Sequence, residues 1–353
     1  MNIVMNKAEV LKDKPEGSLG FGDYFTDHMF VMDWTPENGW HDQRIVPYAP
    51  MMIEPAAMVL HYAQETFEGL KAYRSKDNNI YLFRPEMNAR RFINSNRRMC
   101  MPEVPEEMFV DAIKAIVKVD ASWVPTGEGE SLYIRPFMYA NQSKLGLEDA
   151  NSYRFMIVLS PVGAYYPEGV NPTKIYVEDE YTRATVGGTG FVKCGGNYAG
   201  SLAAHVKARK MGYTQVLWLD GVHRRYVEEV GTMNVMFLIG DTVVTAPIEG
   251  TVLAGVTRDS IMQLIRDFGY KIEERHLDIE ELMEYGRSGE LKEAWGTGTA
   301  AVISPVGELY YKGETVVANE FKTGELTQKL YDTLTGIQWG NEKDPYNWRE
   351  KVN

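Results

Sequence analysis

Residues 161–172 read Pro-Val-Gly-Ala-Tyr-Tyr-Pro-Glu-Gly-Val-Asn-Pro, with three prolines and two glycines in twelve positions. Proline fixes φ and donates no backbone N–H, so neither a helix nor an interior strand runs through such a stretch. It is expected to divide the chain. On this reading residues 1–167 form a smaller N-terminal domain, 168–180 an interdomain linker region, and 181–353 a larger C-terminal domain. A length of 353 residues accommodates two domains, each able to bury its own core.

Both halves mix strand and helix patterns, which places the chain in the α/β (α+β) class. In the first half, residues 80–83, 131–137 and 153–159 are rich in aromatic and β-branched side chains and read as strands. Residues 85–99 and 106–119 have helical spacing; the second repeats Phe109, Ile113, Ile116 and Val117. In the second half, strands are expected at 174–177, 215–219, 235–238 and 242–245, the last two joined by a Gly240-Asp241 turn. Helices are expected at about 197–211, at 257–268 with Thr257 as the cap, and at 319–335.

Composition narrows the function. Lys plus Arg is 37 against 49 for Asp plus Glu, a net charge of −12. That balance disfavours nucleic-acid phosphates and anionic membranes as partners, while leaving room for a local site for one phosphate. The longest apolar stretch, residues 155–166, contains Pro161 and is too short to span a bilayer. Residues 1–17 lack a signal peptide's unbroken apolar run, and the two cysteines, Cys100 and Cys194, make no disulfide framework. A cytoplasmic protein is expected. No two of the six histidines stand at metal-ligand spacing, so no metal site is expected.

Four segments could carry chemistry. Lys193 lies in Gly190-Phe-Val-Lys-Cys-Gly-Gly-Asn-Tyr198. Most lysines are solvated, but a desolvated amine loses proton affinity and becomes a nucleophile suited to a Schiff base with an aldehyde cofactor. Glu229, in Glu-Val-Gly-Thr-Met-Asn234, is either a solvated edge carboxylate or the partner of a protonated heterocyclic nitrogen. Gly255-Val-Thr-Arg258 opens a helix, as an ordinary cap or as a phosphate site. Gly296-Thr-Gly-Thr-Ala-Ala301 matches G-x-G-x-x-A, the pattern of a dinucleotide-dependent oxidoreductase. Residues 302–306 read extended and contain Pro305, so a small-residue loop that approaches a phosphate fits better.

Taken in order, Phe67-Glu-Gly69, Lys193-Cys-Gly-Gly-Asn-Tyr198, Glu229 to Asn234, Gly255-Val-Thr-Arg258 and Gly296-Thr-Gly-Thr-Ala300 closely resemble branched-chain amino acid aminotransferases. These are fold-type IV enzymes dependent on pyridoxal 5'-phosphate, and the likeness runs from about Phe21 to the C-terminal helix. It implies a pseudo-barrel in the C-terminal domain, a homodimer, and reversible ping-pong transamination of L-leucine, L-isoleucine and L-valine with 2-oxoglutarate. It places Lys193 on the Schiff-base lysine, Tyr198 near the cofactor's ring hydroxyl, Glu229 at the pyridine nitrogen, and Arg91, Val256, Thr257 and Thr299 on the phosphate. Arg90 is adjacent to Arg91 and would replace it under a one-residue shift. Thr232 and Ala300 fall on loops whose N–H groups receive the substrate α-carboxylate. Phe21, Tyr62, Phe67, Tyr133, Arg135, Tyr165 and Gln215 fall around the substrate, and Leu145 and Leu147 on residues lent by the neighbouring subunit. The nearest rivals within the fold are a D-amino acid aminotransferase and an aminodeoxychorismate lyase. Ala301 and Ser304 stand where some mammalian members carry a C-x-x-C pair, which argues against a thiol switch there.

Overall fold

The computed structural model describes residues 2–163 and 170–352. The described chain divides into two compact units, one of residues 2–163, 192–195 and 336–352, the other of residues 170–191 and 196–335.

The first unit is built on a nine-stranded sheet. Its order is Val4–Met5, Gly39–Pro47, His28–Thr35, Tyr153–Val162, Ser131–Ala140, Leu70–Arg74, Ile80–Phe83 and Arg349–Lys351, with Glu65–Phe67 pairing the far half of Ser131–Ala140. Side chains alternate across each strand, so one face becomes core and the other stays available. Leu70, Ala72, Leu132, Ile134, Met138 and Ala140 join Phe92 and Phe109 in the core. Those two rings come from the helices Pro85–Arg98 and Glu106–Val119. Phe92 lies 5.4 Å from Phe109 and 5.6 Å from Phe155, ring to ring. Each buried ring of this kind contributes roughly 2–3 kcal/mol. The opposite face carries Glu65, Phe67, Lys71, Tyr133 and Arg135.

The second unit closes its sheet into a barrel. Val227–Val230, Gln215–Leu219, Thr173–Glu178, Val302–Tyr311, Leu291–Gly298 and Met233–Ile239 pair in that order, and the last pairs back onto the first. Thr242–Thr245 and Lys271–Glu274 extend it beyond Met233–Ile239. Closure leaves the ring strands no free edge and encloses Val177, Leu217, Val235, Phe237 and Leu309. Ala204 and Ala208 of the Gly195–Lys210 helix pack with Tyr176 and Trp218.

Four expectations change. The strand expected at 174–177 is present as Thr173–Glu178 and pairs on both sides in the barrel, so most of the expected linker region 168–180 belongs to the second unit. The C-terminal segment does not belong wholly with the second unit, because Arg349–Lys351 pairs with Ile80–Phe83. The helix expected at 319–335 is instead a short 3₁₀ turn, Asn319–Phe321, followed by Glu325–Trp339. Asn319, Glu320 and Phe321 all have positive φ, which interrupts a regular helix. The helix Val256–Asp267 starts at an extended Gly255 with no side-chain cap, so Thr257 lies inside it and is buried.

Candidate active site

In the first unit the site grows from the strand Glu65–Phe67. Phe67 N–H donates to the Lys193 carbonyl at 3.0 Å. Glu65 accepts the Gly195 N–H, and Ser95 Oγ accepts the Lys193 N–H at 3.0 Å. Three contacts therefore tie the backbone of 193–195 to this unit. A side chain at position 195 would collide with the Glu65 carboxylate, which explains the glycine there. Lys193 Nζ stands 4.8 Å from the centre of the Phe67 ring and Arg135 Cζ 4.9 Å. Both cations thus share one aromatic residue. Phe21 meets Tyr133 edge-on at 5.0 Å, and Tyr133 Oη accepts from Arg135 Nη2 at 3.0 Å. The Arg135 Nε is buried and has no hydrogen-bond partner among the described residues. Cys194, by contrast, is a buried packing residue.

Arg91 occupies the buried side of the Pro85–Arg98 helix. It grips Glu68 with Nε to Oε1 at 2.7 Å and Nη2 to Oε2 at 2.9 Å, and Asn88 adds a bond to the same carboxylate at 2.8 Å. Burial alone would raise the Glu68 carboxyl, but Arg91, with Lys193 and Asn88, holds it below the usual range. Arg90 faces the other way and pairs with Glu106 at the surface. Helical rotation therefore separates the two candidates, Arg91 turned inward and Arg90 outward. Tyr62 is exposed, and its hydroxyl donates to the Leu145 carbonyl at 2.6 Å; Leu145 and Leu147 are exposed as well. Tyr165 lies outside the described residues.

In the second unit, Glu229 is the focus. Its Oε1 accepts from Leu253 N–H at 2.9 Å and from Asn234 Nδ2 at 3.2 Å, and its Oε2 stands 3.1 Å from Arg183 Nε. Only 4% of Glu229 is exposed, so it is a held, buried carboxylate rather than a solvated edge residue. Asn234 also packs against Gly255, where any side chain would strike its Oδ1. The start of Val256–Asp267, with its uncapped N–H groups, is thereby tied to the Glu229 cluster. Antiparallel pairing of Asn234 with Thr297 brings the Thr232 turn beside Thr299 and Ala300. Gln215 packs against Gly231, next to that turn. Tyr198 lies in the first turn of Gly195–Lys210.

The glycine pattern 296–301 is not a free loop. Gly296, Thr297 and Gly298 are in the strand Leu291–Gly298, and only Thr299–Ala301 turn. Gly296 is there because Val230 and Met233 fill the place of a Cβ, at 2.7 and 2.8 Å. The structure also adds Glu65, Glu68, Ser95, Arg183 and Asn234, to which sequence reading assigned no role. Glu68 and Asn234 lay within the quoted motifs; Glu65, Ser95 and Arg183 had no local signal.

The second unit thus offers a donor-lined helix start and a buried carboxylate held by two hydrogen bonds and an ion pair. The first offers a lysine beside an aromatic wall. The amino-transferase class IV family model matches residues 65–309, and the chain belongs to that family. It is 53% identical over 352 residues to a probable branched-chain-amino-acid aminotransferase of Staphylococcus epidermidis, covering 99% of this chain and 98% of that protein. It is 50% identical to branched-chain-amino-acid aminotransferase 2 of Bacillus subtilis, covering 97% and 94%. The crystal structure of the T.th. branched-chain amino acid aminotransferase with pyridoxamine 5'-phosphate superposes with a TM-score of 0.76 at 25% identity, covering 91% of this chain and 98% of that one.

Proposed function

We propose that this chain is a branched-chain amino acid aminotransferase that exchanges the amino group of L-leucine, L-isoleucine or L-valine with 2-oxoglutarate, using pyridoxal 5'-phosphate. The donor set fits that cofactor: a primary amine at Lys193, a held carboxylate at Glu229 and an uncapped helix start at Gly255. Bound there, the cofactor supplies an electron sink for the carbanion formed at the substrate Cα. The residues that would hold it are Arg91, Lys193, Tyr198, Glu229, Val256, Thr257 and Thr299.

The residues then divide the work. Lys193 Nζ takes the proton from the substrate Cα in one half-reaction and returns one to Cα in the other. Glu229, charged and screened from water, holds a proton on the ring nitrogen. The Thr232 and Ala300 N–H groups receive the α-carboxylate. Phe21, Phe67 and Tyr133 are the side chains proposed to meet the substrate side chain, and Tyr62, Tyr165 and Gln215 are the other candidates. Burial of an aliphatic side chain there separates leucine from valine by only about 1–3 kcal/mol per methylene. Arg135 receives the distal carboxylate of 2-oxoglutarate.

The homodimer belongs to this reading. Leu145 and Leu147, 75% and 79% exposed, are apolar side chains that a second copy would cover on this reading, and Tyr62 steadies their segment through the Leu145 carbonyl. No helix among the described residues is long and apolar enough to cross a membrane, and a cytoplasmic location accompanies the proposal.

The observation that carries the reading is Lys193 and Arg135 sharing the Phe67 ring, an amine and a guanidinium against one apolar wall. The test is Lys193→Ala. The variant should keep the wild-type circular dichroism and lose transamination of L-leucine with 2-oxoglutarate; retained turnover without added amine would refute the assignment. An absorbance change of the wild-type holoenzyme with D-alanine but not L-leucine would favour the D-amino acid rival.

A further inference from the structure

One pocket that serves both half-reactions must meet an aliphatic side chain and a carboxylate in the same place. A guanidinium left bare beside an aliphatic group is costly, because a charge loses water without gaining a partner. The first unit holds a second charge close to Arg135. Glu65 pairs in register with Tyr139, and Phe67 with Phe137, so Glu65 shares the face that carries Arg135. Burial raises the Glu65 carboxyl, while the Gly195 N–H and the positive charge of Arg135 pull it down, so the two side chains stand within electrostatic reach. Arg135 itself has no ion-pair partner within 4 Å among the described residues, and its buried Nε has no hydrogen-bond partner there. Among the described residues, the titratable and charged groups that face Glu65 are Arg135 and Tyr139 of Ser131–Ala140, and Lys193 stands against the ring of Phe67, two residues along the strand.

We propose that Glu65 is the counter-charge of Arg135, balancing the guanidinium while an aliphatic side chain occupies the pocket and competing with the distal carboxylate of a dicarboxylate substrate. Glu65 is thus a specificity-determining residue. The Arg135 assignment it builds on rests on the function proposed above. Two consequences follow from charge alone. Without the Glu65 charge, a distal carboxylate meets an uncontested guanidinium and binds more tightly. An aliphatic side chain then meets a bare guanidinium and binds less tightly.

The experiment compares holoenzyme of wild type, Glu65→Gln and Glu65→Ser, with L-isoleucine as amino donor and two acceptors, 2-oxoglutarate and 4-methyl-2-oxopentanoate. The readout is the ratio of their KM values, which a general loss of stability or a shifted Lys193 backbone would leave alone. The ratio of KM for 2-oxoglutarate to KM for 4-methyl-2-oxopentanoate should fall at least about fivefold in either variant. Either variant that keeps the wild-type circular dichroism decides the matter. A ratio within twofold of wild type, with kcat reduced equally for both acceptors, would overturn the inference and leave Glu65 only fastening the Gly195 backbone. A wild-type enzyme that transaminates neither acceptor would refute the proposed function instead.

Discussion

Arg91 and Glu68 face each other fork to fork, with Nε 2.7 Å from Oε1 and Nη2 2.9 Å from Oε2, on a carboxylate that is fully buried. Lysine cannot reproduce that planar grip. Arg91→Lys should therefore weaken pyridoxal phosphate binding at least about tenfold. Arg90→Lys, at an exposed pair with Glu106, should change it less than about twofold. Absorbance titration of the two apoenzymes with the cofactor measures both. The reverse ranking would move the phosphate contact to Arg90.

Lys71 pairs in register with Tyr133 and is 4% exposed. Burial lowers its ammonium from 10.5 to about 8. Below about 8 the folded protein holds a charge that burial disfavours, so Lys71 opposes folding there. Above about 10.5 the amine is neutral in both folded and unfolded chains, and the opposition is gone. The full difference is about 3 kcal/mol. The Tm of Lys71→Met relative to wild type should fall as the pH rises from 8 towards 10.5. Calorimetry at several pH values reads this directly. A difference independent of pH would mean that packing, not charge, limits this position.

Glu293 caps a helix from another strand. Its carboxylate accepts the Leu326 N–H at 3.0 Å and the Thr327 N–H at 2.8 Å, and it fills the space beside Gly324. Glu293→Ala leaves two buried donors without a partner and should cost about 2–3 kcal/mol. Glu293→Gln keeps one acceptor and should cost less. Thermal unfolding of both variants compares them, and equal stabilities would show that the cap contributes nothing beyond its volume.

What could be read without coordinates follows the range of the interactions. Gln215–Leu219 is a short apolar run, so its local pattern suffices to mark a strand. The Gly240-Asp241 hairpin is likewise local, with Ile239 pairing Thr242 across it. The Glu325–Trp339 boundary was missed because its cap lies more than thirty residues upstream, at Glu293. The split between Arg90 and Arg91 needed the rotation of their helix, on which Ala89 and Phe92 are buried. Lys193 and Glu229 stood in recognisable motifs, whereas Glu65 and Arg183 join the site only through contacts made between distant segments.

The pairing of Arg349 with Phe83, Glu350 with Leu82 and Lys351 with Tyr81 fixes an order of assembly during synthesis. The strand Ile80–Phe83 is translated early, yet its outer neighbour emerges only after every ring strand of the barrel. The barrel lies between them in the chain as an insertion, so it is complete while the first unit still shows an open edge. A chain that has cleared the ribosome through Tyr311, with Arg349–Lys351 still enclosed, therefore carries every ring strand and a sheet whose edge is free to pair with another nascent chain.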